Sequence, residues 1–129
     1  MNAEISVSIG ELVDKITILK IKKKKIKDKN KLIKIVYELN LLENILSELL
    51  PKKSKEFTNL FNKLRETNNK LWEIEDDIRK LENNKDFSDE FIKLARSVYI
   101  TNDYRFEIKN KINLISSSEI QEVKSYEKY

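Results

Sequence analysis

The chain contains no cysteine and no histidine. Lacking cysteine, it has neither a disulfide framework nor a thiol nucleophile. Lacking histidine, it loses the usual imidazole metal ligand and the side chain best suited to acid–base work near neutral pH, so nucleophilic triads and zinc centres are excluded. A single glycine and a single proline in 129 residues leave little of the turn chemistry that sheet-rich folds consume. No apolar run approaches the ~18 residues of a membrane span, and no signal-peptide pattern opens the sequence, so the chain reads as soluble and cytoplasmic. Arginine is scarce too. Only Arg65, Arg79, Arg96 and Arg105 stand against 22 lysines, which marks each arginine as a candidate for forked hydrogen bonding.

What remains is charge and periodicity. Charged residues make up 37% of the sequence, and apolar residues recur every three or four positions, the signature of packed helices. From Phe57 they fall at Leu60, Leu64, Leu71, Ile74, Ile78 and Leu81, with a gap at Thr67. From Phe91 they fall at Leu94, Val98, Ile108, Ile112 and Ile115, with gaps at Thr101 and Arg105. If the chain folds back around Asn83–Ser88, the gaps coincide and Thr67 stands beside Arg105.

The expected fold is all-α, a single domain spanning 1–129. It is a four-helix bundle of two antiparallel helical hairpins (9–50 and 54–115) with short extended N- and C-terminal segments, the C-terminal tail being 116–129. Expected helices run 9–28, 31–50, 54–83 and 89–115. Ser8 with Glu11 forms a capping-box pattern, and Ser54 and Ser88 sit as N-caps for the last two helices. Helix 2 carries the widest apolar face, which places it at the bundle centre. Gly10, in the first turn, allows close packing or an open helix N-terminus for an oxyanion.

Three features are candidates for chemistry. Lys20–Lys34 holds nine lysines and one aspartate, a pattern suited to nucleic acid or to an anionic surface. No aromatic residue interleaves with these lysines, so a solvated helix–turn–helix tip is the simpler expectation and nucleic acid a weak one. Glu11/Asp14 and Glu73/Asp76 each share a helix face and could hold magnesium through oxygen ligands. Their spacing is similar to that of the all-α nucleoside triphosphate pyrophosphohydrolases, although the denser acidic set of that family is absent.

The third feature is polar and lies along one side of the long hairpin: Arg65, Asn68, Trp72, Glu75, Arg79, Tyr99, Asn102, Arg105 and Lys109, joined by Asp14 and Lys15 from helix 1. It reads either as a buried ion-pair network that sets helix register or as a site for an anionic small molecule such as a phosphate, nucleotide or sugar nucleotide. Asp14 is the expected partner of Arg105.

The segments Gly10–Leu19 (GELVDKITIL), Leu71–Arg79 (LWEIEDDIR), Leu94–Tyr99 (LARSVY), Thr101–Arg105 (TNDYR) and Lys124–Tyr126 (KSY) resemble a family of small bacterial proteins catalogued only as a domain of unknown function. The resemblance spans nearly the whole chain and implies no activity. Three function classes follow. The leading one is a non-enzymatic binding or scaffold module with a polar inter-helix site. Its rivals are a magnesium-dependent phosphoanhydride hydrolase and a homo-oligomeric interaction protein in which a second chain covers Trp72.

Overall fold

The computed structural model describes all residues from Met1 to Tyr129. Four helices make up the fold: α1 (Ile9–Lys25), α2 (Lys29–Leu49), α3 (Lys55–Asn83) and α4 (Asp89–Ile115). Three begin where a short polar side chain satisfies an otherwise unpaired first-turn N–H. Glu11 N donates to Ser8 Oγ at 3.0 Å, Lys31 N to Asp28 Oδ1 at 3.0 Å and Phe57 N to Ser54 Oγ at 3.0 Å. Because Asp28 caps α2, the turn falls earlier than expected: α1 stops at Lys25 and α2 starts at Lys29. Ser88 departs from its expected role. It makes no side-chain cap to α4, and Asp86 instead accepts from Ser88 N at 3.1 Å. The exposed Asp86 carboxyl is held below its ordinary range by its hydrogen bonds with Ser88.

Two helix ends close without glycine. Asp86 N donates to Leu81 O and Lys85 N to Glu82 O; Ser118 N donates to Asn113 O and Ser117 N to Leu114 O. Each is the paired 6→1 and 5→2 pattern of a Schellman motif. The left-handed residue is Lys85 in one and Ser117 in the other, both at φ 55°.

The core joins Leu12, Val13, Ile16 and Leu19 of α1 to Ile35, Leu39 and Leu46 of α2, to Phe57, Leu60 and Leu64 of α3 and to Ile108 and Ile112 of α4. Only α1 approaches all three other helices closely, and α2 lies close against α1 alone. The expected order is therefore corrected: α1 is central and α2 peripheral. Adjacent faces of α1 carry Leu12, Ile16, Leu19 and Val13, Thr17, Ile21, all buried, while Lys15 and Lys20 on its remaining side stay exposed. A wide apolar face on α2 could not indicate which part of that face is covered. The two hairpins hold as expected. Thr67 and Thr101 fill the matching seam gaps as buried residues, Thr67 Oγ1 donating to Lys63 O at 2.8 Å.

Contacts of α1 with the long hairpin run obliquely. Its first turn meets α4, where Gly10 N donates to Asn113 Oδ1 at 2.6 Å. Its middle meets α3 at Asn68, and Lys20 lies over the Phe61 ring, 5.3 Å from the centroid. Past that crossing no third helix covers the α3–α4 hairpin. Between residues 70 and 100 only Ile74 is buried. This stretch is a projecting two-helix arm. The tail after Ile115 turns back along α4: Ser118 accepts from Ile9 N, Glu122 pairs with Lys109, Lys124 lies over Phe106, and Tyr129 meets Tyr99 edge-on.

Candidate functional site

Where α1 crosses the hairpin, the fold buries a polar cluster. Asp14 is 1% exposed. Arg105 forks onto it, with Nε donating to Oδ1 at 2.8 Å and Nη2 to Oδ2. Asn68 Nδ2 donates to the same Oδ1 at 2.9 Å and to Thr17 Oγ1 at 2.8 Å. Arg105 Nη1 reaches Asn102 Oδ1 at 3.3 Å. Lys109 follows Arg105 by four residues on α4, as Asp14 follows Gly10 on α1, and so continues the same face. Its Nζ lies 2.8 Å from Glu11, 3.1 Å from Glu122 and 4.0 Å from Asp14.

The electrostatics follow from this packing. Hydrogen bonding from Asp14 raises the Arg105 pKa above its ordinary value against the opposing effect of burial. Burial works against the Lys109 ammonium, yet Glu11, Asp14 and Glu122 together outweigh it and raise its pKa. Two cations, Lys109 buried and Arg105 half-buried, thus face three carboxylates, and each carries a partner from another element, which is what burial of charge requires.

Gly10 belongs to this arrangement. A Cβ there would stand 2.6 Å from Lys109 O and 2.8 Å from Asn113 Oδ1. Close approach of α1 to α4 is therefore the reason for glycine, as the close-packing expectation had it, and the alternative of an open N-terminus fails because Asn113 occupies it. Glu11 turns to Lys109 rather than back to Ser8, so the capping box forms only on its serine side.

The expected site residues separate into three groups. Asp14, Asn68, Asn102, Arg105 and Lys109 are brought together, and the expected Asp14–Arg105 pair is present. Beside them the space is about 40 Å³, lined by Asn102, Arg105, Phe106, Lys109, Glu122 and Lys124; a water fits, a nucleotide does not. Trp72, Glu75, Arg79 and Tyr99 lie out on the arm, with Arg79 Nε 3.5 Å from Glu75 Oε2. Arg65 and Lys15 are exposed.

The acidic pairs separate likewise. Glu11 and Asp14 face Lys109 and Arg105, Glu73 and Asp76 are exposed, and no three acidic side chains stand close enough to share a metal ion. Thr17, Asn113 and Glu122 were absent from the expected set. Asn113 follows Lys109 by one turn on the face opposite Gly10, a signal within reach of spacing. Glu122 sits in the tail, where no periodicity points to it. A larger cavity of about 260 Å³ opens between α1, α2 and α3, lined by Lys20, Glu43, Lys53, Phe57 and Phe61 among others, and holds none of the expected residues.

These features define a class: a small all-helical protein with a charge-locked base, a projecting two-helix arm and no helix long and apolar enough to cross a membrane. Its sequence matches the model of a family of unknown function, DUF6165, over residues 1–129, and the chain belongs to that family. No curated protein and no solved structure matches it.

Proposed function

We propose that this chain is a non-enzymatic interaction module whose binding face is the uncovered side of the arm. The observation that carries this reading is the burial pattern: past the α1 crossing, only Ile74 is buried between residues 70 and 100. Trp72, Glu75 and Arg79 on α3 share helical direction with Asn68, and Ala95, Tyr99 and Asn102 on α4 share it with Lys109 and Asn113. This is the side that α1 covers at the base and leaves open beyond. Two helices alone cannot hide a seam of this length, so the arm suits a helical partner that supplies a third layer. Such a partner would offer an apolar stripe flanked by charges opposite to Glu75 and Arg79. The test is site-specific photocrosslinking in cells. A crosslinker in place of exposed Ile92 should give a discrete protein adduct that Trp72→Ala abolishes without lowering the melting temperature. One at Lys80, on the other side, should give none. No adduct from position 92, or equal adducts from both positions, refutes the proposal.

A small anionic ligand is a second reading, favoured by the 260 Å³ cavity with Lys20 and Lys53 on its walls. Thermal-shift titration with nucleotides, sugar nucleotides and magnesium tests it. Stabilisation that Lys53→Gln removes supports it, and no shift with any of them rejects it.

A further inference from the structure

The outer face of α2 shows a pattern that its own chain leaves unused. Ile33, Tyr37, Leu41, Ile45 and Leu49 succeed one another at intervals of four, and each stays exposed, from 39% at Ile45 to 69% at Ile33. Successive members of the row turn by about 40°, so Tyr37, Leu41 and Ile45 share the side away from the inward Ile35, Leu39 and Leu46, and Ile33 and Leu49 flank it. Five large apolar side chains thus run about 24 Å along a peripheral helix and leave an apolar patch centred on Leu41 open to water.

The pattern also says what covers it. We infer that α2 pairs antiparallel with α2 of a second copy about a two-fold axis at Leu41. In that register Leu41 meets Leu41, Tyr37 lies level with Ile45, and Ile33 with Leu49. Charges obey the same symmetry. The first part of α2 is basic (Lys29, Lys31, Lys34) and the rest acidic (Glu38, Glu43, Glu48), so Lys34 stands opposite Glu48 of the second copy, twice. A parallel pair would set lysine against lysine and glutamate against glutamate. In the antiparallel pair Glu38 lies level with the neutral Asn44, and Glu43 is already engaged by Lys20 of its own chain at 3.8 Å, so no like charges are forced together. Exposed Glu38 and Glu48 beside the apolar row also argue against an anionic membrane as the cover, since membrane-surface helices carry lysine and arginine there. The two-fold is closed, so association stops at two. A contact one helix wide is small beside a standard interface, so the dimer should be a weak, reversible one. The dimer is separate from the reading of the arm and would present two arms per particle.

Sedimentation equilibrium of the full chain tests this, with reversible dissociation expected on dilution. Leu41→Glu puts two carboxylates at the axis and should weaken the dimer about 30-fold or more with an unchanged circular dichroism spectrum and melting curve for the monomer. Lys34→Glu and Glu48→Lys should each weaken it, and the double variant should recover it. The absence of cysteine allows a direct check of polarity. Leu41→Cys should form a disulfide with its counterpart across the axis, while Ile33→Cys and Leu49→Cys, each about 24 Å along the helix from its own counterpart, should not. A chain that stays monomeric at millimolar concentration overturns the inference. A dimer indifferent to Leu41→Glu does so too, as does failure of the charge-swapped pair to recover.

Discussion

Arg105→Ala removes the only group that forks onto a carboxylate 1% exposed to solvent. After the change Asp14 keeps one hydrogen bond from Asn68 and a distant ammonium, Lys109 Nζ at 4.0 Å. Losing one partner of a buried ion pair costs about 3–5 kcal/mol, because the other charge stays buried. Here the loss should fall near about 3 kcal/mol, since Lys109 partly answers the charge. The reverse change is milder. Asp14→Ala leaves Arg105, whose side chain is 27% exposed and can turn toward water, so about 1–3 kcal/mol is expected. Urea unfolding of wild type, both single variants and the double variant measures the coupling, which for touching residues is about 0.5–3 kcal/mol. A loss below about 1 kcal/mol for Arg105→Ala, or additivity of the two single changes, would refute the account of the cluster as the lock between α1 and the hairpin.

Four further outcomes follow from the same structure. Gly10→Ala sets a methyl against the Lys109 carbonyl at 2.6 Å, a backbone atom that cannot swing away, so a net loss of about 1–3 kcal/mol in urea is expected despite alanine's better helix propensity. Lys85→Gly relieves a left-handed lysine at φ 55° and should raise the urea midpoint, worth about 0.5–1 kcal/mol after the extra unfolded-state freedom of glycine. Replacing Lys23, Lys24 and Lys25 by glutamine should leave the melting temperature unchanged or higher, because all three are exposed like charges. Lys109 titrates above its ordinary 10.5 in the fold, so its stabilisation is complete below that value and is lost as pH rises through the folded pKa. The stability gap between wild type and Lys109→Met should therefore shrink in urea series above about pH 10.5 and stay constant from about pH 6 to 9.

The starts of α1 and α3 were readable because capping is local: Ser8 and Ser54 sit beside the N–H groups they accept from. Asp28, set among lysines, was not read as a cap, so the turn before α2 was expected too late. The Asp14–Arg105 pair was readable for a different reason. Coincident gaps in two seams at Thr67 and Arg105 required a polar answer, and α1 offered Asp14, next to Glu11, on its spare face. Other features had no local trace. Apolar spacing at Leu71, Ile74 and Ile78 is the same whether a third helix covers the seam or not, so the arm read as bundle. On α2, seam residues and outward residues are equally apolar, and Leu41 could not be told from Leu42 by composition. Glu122 reaches Lys109 from an extended tail whose path depends on Ser118 and Lys124 finding Ile9 and Phe106. None of those contacts repeats with a period.

The length of the arm is set by chemistry at its base. Three successive contacts tie one side of α1 to α4: Gly10 to Asn113, Glu11 to Lys109, and Asp14 to Arg105. Further along the helix, Thr17 and Asp14 share Asn68 of α3. A glycine contact brings the axes close at one end, and a forked arginine holds a fixed separation about one turn further on. Together they define the oblique path by which α1 passes from α4 to α3, and so the level at which cover ends. Hydrophobic contacts alone would let α1 slide, because Leu12, Ile16 and Leu19 could each pack one turn away at similar area. Sliding by one turn would bury Asp14 without Arg105, which forbids it. The ionic cluster therefore acts chiefly on geometry. It decides that Asn68 is covered and Trp72, one turn beyond, is left outside the cover of α1.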